Sequence, residues 1–387
     1  VIFHAPKLGE ADRQAIGRIE ELRRQLKWHV AEPRRWYGGI RRLVFARAVQ
    51  ASNSIEGYNA SVDDVIAVVE DEEVLEAGVE TVAALHGYRD AMTYVLQLAE
   101  DDFAIDEVLL RSLHFMMIKH DLSRRPGRWR LGDVFVRREP EDRVVYEGPS
   151  AEVVPDLMAE LVASLREDGD PVVVRAAMAH LNLVMIHPFK DGNGRMGRCL
   201  QTMVLAREQI VAPVFSSIEE QLGREQQAYY DVLGEVGGRS WQPERDIRPW
   251  IRFCLNAHYR QAQRVLRRVE EIEALWERCE RLAFDRGLPP RVVGPLCDAA
   301  RGLRIRNWSY RMAVRESEGD EIDVQTAGRD LRLLVKVQLL VARGETRGRY
   351  YLATDALADE RAAIRARRPK DLNEADLFSK KTVKRAD

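Results

Sequence analysis

The sequence predicts a mainly α protein with one β-hairpin in its larger part and a smaller C-terminal module of different character. Three observations carry that expectation. Apolar residues recur at helical spacing along most of the 387 residues. Only residues 134–146 switch to β-prone runs before the long helices resume. Gly287 and Pro289-Pro290 then interrupt the pattern and mark a domain boundary. The length allows two or three domains, each with its own core. Apolar content of 45% and charged content of 32% fit a soluble globular protein, and a net charge of −2 gives no whole-molecule steering toward nucleic acid or membrane. No apolar run approaches the ~20 residues of a membrane helix. The chain does not open on Met, and its start lacks the basic-then-apolar order of a secretion signal. Cys199, Cys254, Cys279 and Cys297 are widely spaced and read as reduced core residues of a cytoplasmic protein.

In chain order, Asp12 to Trp28 carries Ile16, Ile19, Leu22 and Leu26 on one helical face, and Pro33 ends the segment. A second helix starts near Tyr37 and runs to Ser52-Asn53-Ser54-Ile55-Glu56-Gly57. Gly57 suits the position just past a helix end, which puts Glu56 in the last turn. A carboxylate there opposes the helix dipole by about 0.3–1 kcal/mol unless a cation answers it. Val79 to Leu98 and Asp106 to Ile118 are amphipathic helices. Val134-Phe135-Val136 and Val144-Val145-Tyr146 form a hairpin with a long charged turn over Arg137 to Arg143. An isolated hairpin is only marginally stable, so this one must lie on something. Asp156 to Leu165 is a further helix.

Two apolar helices, Val172 to Ile186 and Met196 to Arg207, flank His187-Pro188-Phe189-Lys190-Asp191-Gly192-Asn193-Gly194-Arg195-Met196-Gly197-Arg198. The residue before a proline avoids the helical region, so the first helix stops at His187 and leaves an imidazole at the mouth of a loop. Gly192 and Gly194 let the backbone around Asn193 turn its N–H groups inward. The second helix starts at about Arg195, and its N-terminal donors and dipole favour phosphate. Arg195 and Arg198 lie on one face of its first turn. Asp191 adds a hard oxygen ligand suited to Mg²⁺ bridging phosphate oxygens. A base, an anion nest, two arginines and a carboxylate within twelve residues describe a nucleotide phosphate site.

This run resembles the signature of the Fic (filamentation induced by cAMP) family, His-x-Phe-x-Asp/Glu-Gly-Asn-Gly-Arg-x-x-Arg, with His187, Phe189, Asp191, Gly192, Asn193, Gly194, Arg195 and Arg198 all matching. The resemblance implies a helical core that transfers AMP from ATP to a protein hydroxyl. It implies His187 as the base, Asp191 on the metal, and Gly192, Asn193, Gly194, Arg195 and Arg198 on the phosphates. ATP with Mg²⁺, or Mn²⁺ in its place, would be the cofactors. Ser52-x-x-x-Glu56-Gly57 resembles the family's inhibitory motif, in which the glutamate pairs with the second arginine, here Arg198, and keeps the γ-phosphate from binding productively. The 134–146 hairpin corresponds to the family's flap, whose open edge can pair with an extended target segment. Tyr230 and Leu233, in Tyr229-Tyr230-Asp231-Val232-Leu233, match residues that line the adenine pocket. Four residues on, where an asparagine often contacts the base, stands Gly237. That departure leaves the nucleotide preference open.

From His258 to Gly287, Ala262, Val265, Leu266, Val269, Ile272, Leu275, Trp276, Cys279 and Leu282 form one long stripe. It serves either as a bridge between domains or as the seam of a homodimer. Beyond it, Val324 to Val335 reads as a helix, and Val337 to Ala342 and Arg349 to Ala353 as strands around Gly344 and Gly348. The pattern resembles the winged helix-turn-helix modules appended to some Fic cores. Six Lys/Arg in 325–352 against Asp330 and Glu345 would suit DNA phosphates, and 324–352 is the candidate DNA-binding stretch. A docking or regulatory role is the alternative. The tail from Arg361 is charged and is expected to end in disorder.

The expected domains are 1–85, helical with the inhibitory motif; 86–257, catalytic core; 258–287, linker helix; 288–356, winged-helix-like; and 357–387, charged tail. The expected activity is a nucleotidyltransferase acting on a Tyr, Ser or Thr hydroxyl and held back by Glu56. The rival readings are transfer of another phosphate-bearing group or removal of AMP in the same site, or a DNA-binding regulator with a vestigial site.

Overall fold

Helix boundaries follow capping chemistry. The computed structural model describes residues 1–30, 34–101, 103–138, 143–166, 169–207, 213–367 and 376–378. Within them α1 (Glu10–Val30), α2 (Tyr37–Ile55), α3 (Val62–Val69), α4 (Val79–Leu98) and α5 (Glu107–Ile118) come first. Asp106 caps α5 by accepting the Leu109 N–H at 2.7 Å, and Ser61 caps α3 through the Asp64 N–H at 3.1 Å. Gly57, at φ 89°, closes α2: its N–H reaches Ser54 O and the Tyr58 N–H reaches Asn53 O, both at 3.0 Å. That pair of bonds is the Schellman arrangement, with Glu56 as the capping residue itself.

An antiparallel hairpin follows, β1 (Phe135–Arg138) with β2 (Arg143–Glu147), bulged between Val136 and Arg137. Most of its expected turn, residues 139–142, lies outside the described residues. The hairpin does rest on other elements. The Tyr146 hydroxyl donates to Met185 O at 2.8 Å, and the Glu147 N–H donates to Arg239 O at 2.9 Å. Then come α6 (Val154–Ser164), α7 (Val172–Ile186), α8 (Asn193–Ala206), α9 (Pro213–Ser216), α10 (Glu219–Arg224) and α11 (Gln226–Gly237). α7 and α8 form the closest helix pair of the core. A side-chain carbon at Gly197 would stand 2.7 Å from Val184 and 2.8 Å from His180, which is why glycine occupies that crossing.

α12 (Arg248–Asp285) revises one expectation. The last helix of the core and the linker helix are one element, and the 257/258 boundary falls inside it. Its stripe is also covered by the chain's own helices. Ala262, Val265, Val269, Ile272, Leu275 and Cys279 are all buried as α12 crosses α1, α7 and α13. It runs from the helices of the core to those of the C-terminal module.

The C-terminal module comprises α13 (Val293–Ala300), α14 (Asn307–Glu318), α15 (Val324–Lys336), the hairpin β3 (Leu340–Arg343) and β4 (Tyr350–Ala353), and α16 (Asp355–Ala366). Ile305 bridges Tyr351 on the hairpin's far side. The strand expected from Val337 starts later, because Val337 caps α15 and Gln338 turns the chain at φ 59°. The charged tail from Arg361, expected to end in disorder, starts as part of α16 and is helical through Ala366; residues 368–375 and 379–387 lie outside the described residues. Leu357 is fully buried there, and Arg361 and Arg365 both bond Glu271 on α12.

The module also grips the first block. Arg42 on α2 is buried between Asp298, at 2.7 Å, and Glu316, while the Arg304 N–H donates to Asp63 at 2.7 Å. All four cysteines are buried and free, and no helix among the described residues is long and apolar enough to cross a membrane.

Candidate active site

The loop between α7 and α8 takes its shape from three braces. His187 ends α7 at φ 52°, ψ 56°, a left-handed conformation unusual for a side-chain-bearing residue, and its N–H still closes the helix on Leu183 O at 3.0 Å. Arg130 then fastens the turn. Its Nε donates to His187 O at 2.9 Å and its backbone N–H to Pro188 O at 2.8 Å. Asn193 is the third brace. Its Oδ1 accepts the Phe189 N–H and its Nδ2 donates to Phe189 O, both at 2.9 Å. Asn193 was expected on the phosphates; its buried side-chain amide bonds the loop backbone.

Phe189 is fully buried under the loop, stacked on His114 with ring centroids 3.7 Å apart and planes 4° from parallel. The His114 Nδ1 accepts the Gly127 N–H at 2.8 Å, so its Nε2 carries the hydrogen and donates to Asp191 O at 2.9 Å. Burial lowers the His114 pKa to about 4, so the ring stays neutral. Neither His114 nor Arg130 was singled out from the sequence. Each lies more than fifty residues from the loop and belongs to no local pattern.

His187 is partly exposed, and its Nδ1 stands 3.2 Å from Val184 O. A carbonyl can only accept, so Nδ1 bears the hydrogen and Nε2 keeps its lone pair. Burial lowers its pKa below the ordinary imidazole value, which keeps that lone pair free at neutral pH.

α8 begins at Asn193, two residues earlier than expected, and of the two loop glycines only Gly192 has positive φ, 79°. Gly194 is needed for space instead. A side-chain carbon there would collide with Glu56 Oε1. Asp191 Oδ1 accepts the Gly192 N–H at 2.7 Å, and its Oδ2 stands 3.9 Å from both Arg124 and Arg195.

Both signature arginines are buried, 1% exposed each. Arg198 donates through Nε to Ser52 Oγ at 2.8 Å and through Nη2 to Ser52 O at 2.8 Å and Glu56 Oε1 at 2.7 Å. Burial alone would lower its pKa, and Glu56 together with Tyr229 and Tyr88 more than offsets this. The cation that answers the Glu56 dipole misfit is therefore Arg198. Arg195 lies over the Tyr58 ring at 5.2 Å. Arg195 Nε and Nη1 and Arg198 Nη1 are buried with no hydrogen-bond partner among the described residues. Such orphaned cationic donors are costly unless an anion meets them.

No group of three or more potential metal ligands exists among the described residues. Asp191 is the carboxylate at the loop, and a metal that arrives with its own phosphate oxygens would need only one. On α11 the Tyr230 hydroxyl donates to Ile55 O at 3.0 Å, with its side chain 42% exposed, and Leu233 is buried one turn along. Gly237 packs against Met185 and Tyr146, and a larger residue there would meet Met185 Sδ at 2.9 Å.

Residues 104–205 match the model of the Fic/DOC family. Among curated proteins, the chain is 27% identical over 256 residues to a protein adenylyltransferase Fic of Nematostella vectensis, covering 64% of this chain and 55% of that one. It is 25% identical to a protein adenylyltransferase fic-1 of Caenorhabditis elegans, covering 64% of this chain and 46% of that one. The chain thus spans about half the length of the curated relatives it matches. Among solved structures, a Fic family protein from Desulfovibrio desulfuricans G20 aligns with a TM-score of 0.57 at 22% identity, over 91% of this chain and 99% of that one. Residues 134–508 of Fic-1 from C. elegans align at 0.51 and 22%, over 67% and 73%.

Proposed function

Residues 104–205 match the Fic/DOC family, and from that premise we propose that this chain transfers AMP from ATP to a hydroxyl of a target protein, with Glu56 as its brake. The single observation that carries this reading is the set of orphaned guanidinium donors on Arg195 and Arg198 beside the N-terminus of α8. They ask for an anion with several oxygens, and a triphosphate supplies one.

In this reading the loop N–H groups, Arg195 and Arg198 hold the phosphates, and Tyr230 and Leu233 border the base. His187 Nε2 takes the proton from a Tyr, Ser or Thr hydroxyl. The freed oxygen forms a bond to the α-phosphorus as the bond to the β-phosphate oxygen breaks, and pyrophosphate departs with the electron pair. Asp191 would hold a magnesium ion brought with the nucleotide, which neutralises charge on the leaving group. Positioning and charge stabilisation supply most of the acceleration. For the target, β1 is the edge to offer: Ser240 bridges β2 at Glu147, and β1 has no third strand beside it among the described residues.

In this reading Glu56 holds Arg198 Nη2, a donor that a γ-phosphate would use, so productive binding requires it to leave. The test is transfer of label from α-labelled ATP to proteins of a cell extract by wild type, Glu56→Gly and Glu56→Gly/His187→Ala. Label that appears with Glu56→Gly and vanishes with the double variant supports the reading; no label from a folded Glu56→Gly chain refutes it. Mass spectrometry of the labelled protein separates AMP from any other phosphate-bearing group, and loss of AMP from a modified target identifies the reverse reaction.

A second reading concerns the C-terminal module, which we take as a winged helix that binds DNA. Gln325, Arg329, Arg332 and Lys336 are exposed along one face of α15, while Ala327, Leu331 and Leu334 are buried on the other. A basic face at major-groove dimensions supports it. Binding to duplex DNA that weakens steeply with salt and is lost in Arg329→Ala/Arg332→Ala would bear it out.

A further inference from the structure

We propose that a second anion site, for a small phosphate-class oxyanion, lies in the cleft between α2 and α10, on the flank of α2 away from the signature loop. The cleft has a volume of about 220 Å³, and Arg47, Gln50, Ser54, Asn59, Glu220 and Arg224 line it. Arg47 lies three and four residues before Gln50 and Ala51, and Ser54 lies four and three after them, which keeps these side chains on one helix face. Ser52 and Glu56, which hold Arg198, point roughly the opposite way around α2. The helix is thus a partition, with the loop site on one side and the cleft on the other.

The charges in the cleft do not balance. Glu220 is buried and bonds Arg268 through both guanidinium nitrogens, and it also takes Arg224 at 3.3 Å. Burial would raise its pKa, but Arg268, then Arg47 and Arg224, bring it down to about 2. One carboxylate therefore already serves two arginines. Arg47 makes no hydrogen bond or ion pair of its own among the described residues, and its Nε is buried without a partner. Burial and the neighbouring Arg268 lower its pKa to about 10. Two guanidiniums line the cleft, Arg47 and Arg224, against one carboxylate that Arg268 also engages, so Arg47 has no anion of its own. A partly buried cation kept without a partner costs stability unless something binds it. Forked N–H donors match the oxygens of phosphate or pyrophosphate, and the volume suits those ions. The Gln50 amide donates to Ala60 O at 2.8 Å and so fixes the loop after Gly57 as one wall. If Glu56 is the brake, an occupant touches the back of the helix that carries it; binding itself does not depend on that reading.

The test is calorimetric titration of the full chain with inorganic phosphate and with pyrophosphate at low ionic strength. Wild type should bind, and Arg47→Gln should weaken binding about tenfold or more. Glu220→Gln should tighten it, because the carboxylate competing for Arg224 and Arg268 is gone, and a folding defect cannot produce that gain. Arg195→Lys, altered in the loop site, should leave this binding intact. No heat at millimolar anion, equal affinity in wild type and Arg47→Gln, or no gain in Glu220→Gln would overturn the proposal. So would loss of binding in Arg195→Lys with Arg47→Gln unaffected, since the anion would then sit in the signature loop.

Discussion

Glu56 Oε1 lies 2.7 Å from Arg198 Nη2 and against Gly194, so one carboxylate oxygen occupies both the arginine and the first turn of α8. Its side chain is still 26% exposed while that of Arg198 is fully buried. The lock can therefore open from the glutamate side without unpacking the core. A charge-assisted hydrogen bond contributes about 1.5–3 kcal/mol. Glu56→Gly should accordingly raise AMP transfer by about tenfold to hundredfold, read as initial rate with labelled ATP. A rate at or below wild type in a folded variant refutes the brake.

His187 should be needed for turnover and should work at lower pH than a free imidazole. Removing a general base costs about 10²–10⁴ in rate, so His187→Ala should lose at least that much kcat/KM. Its pKa is lowered by burial, so the catalytically competent neutral form persists as pH falls. In the Glu56→Gly background the acid limb of kcat/KM should lie below pH ~6.5. A limb above that value would mean that another group controls the step.

Acid should weaken the fold before it titrates most carboxylates. Burial lowers the pKa of His114 to about 4 and that of His180 to about 3. The unfolded chain then binds more protons than the native one between those values and pH ~6.5, so stability is full at neutral pH and falls on acidification through that window. His114 alone should account for about 2 kcal/mol between pH 7 and pH 5. Urea midpoints at the two pH values should show the drop, and His114→Gln should make it smaller.

Arg42→Ala should destabilise the chain by about 3–5 kcal/mol, because Asp298 and Glu316 would be left facing each other without their shared cation. Glu316 feels burial strongly enough to sit at about 7 even with Arg42 present. Chemical denaturation reads the loss. Arg42→Met, which keeps the volume but not the charge, should share it if charge is the cause.

Long periodic helices were the most legible part of this sequence. The expected limits Val79–Leu98 and Val172–Ile186 coincide with α4 and α7, whose stripes are continuous. α3, α13 and α14 escaped notice; α3 and α13 span only eight residues each, too short for a period to show. Within the site, the local misfit at Glu56 pointed to a missing cation, and Arg198 supplies it. The bracing role of Asn193 could not be read, because an asparagine between glycines suits a ligand as well as a strut. Only the two bonds to Phe189 decide it. Arg130 and His114 act across the fold on backbone carbonyls, which leave no trace in residue identity.

α12 sets how this protein can be dissected. Its 38 residues run about 57 Å. One end carries Trp250, whose indole donates to Ala177 O at 2.8 Å beneath the loop helices, and the other carries Glu271 and Cys279 under the C-terminal module. A truncation after residue 257 would strip the cover from α1 and take His258 away from Arg23 and Gln201. The catalytic block should therefore be expressed with the whole beam attached.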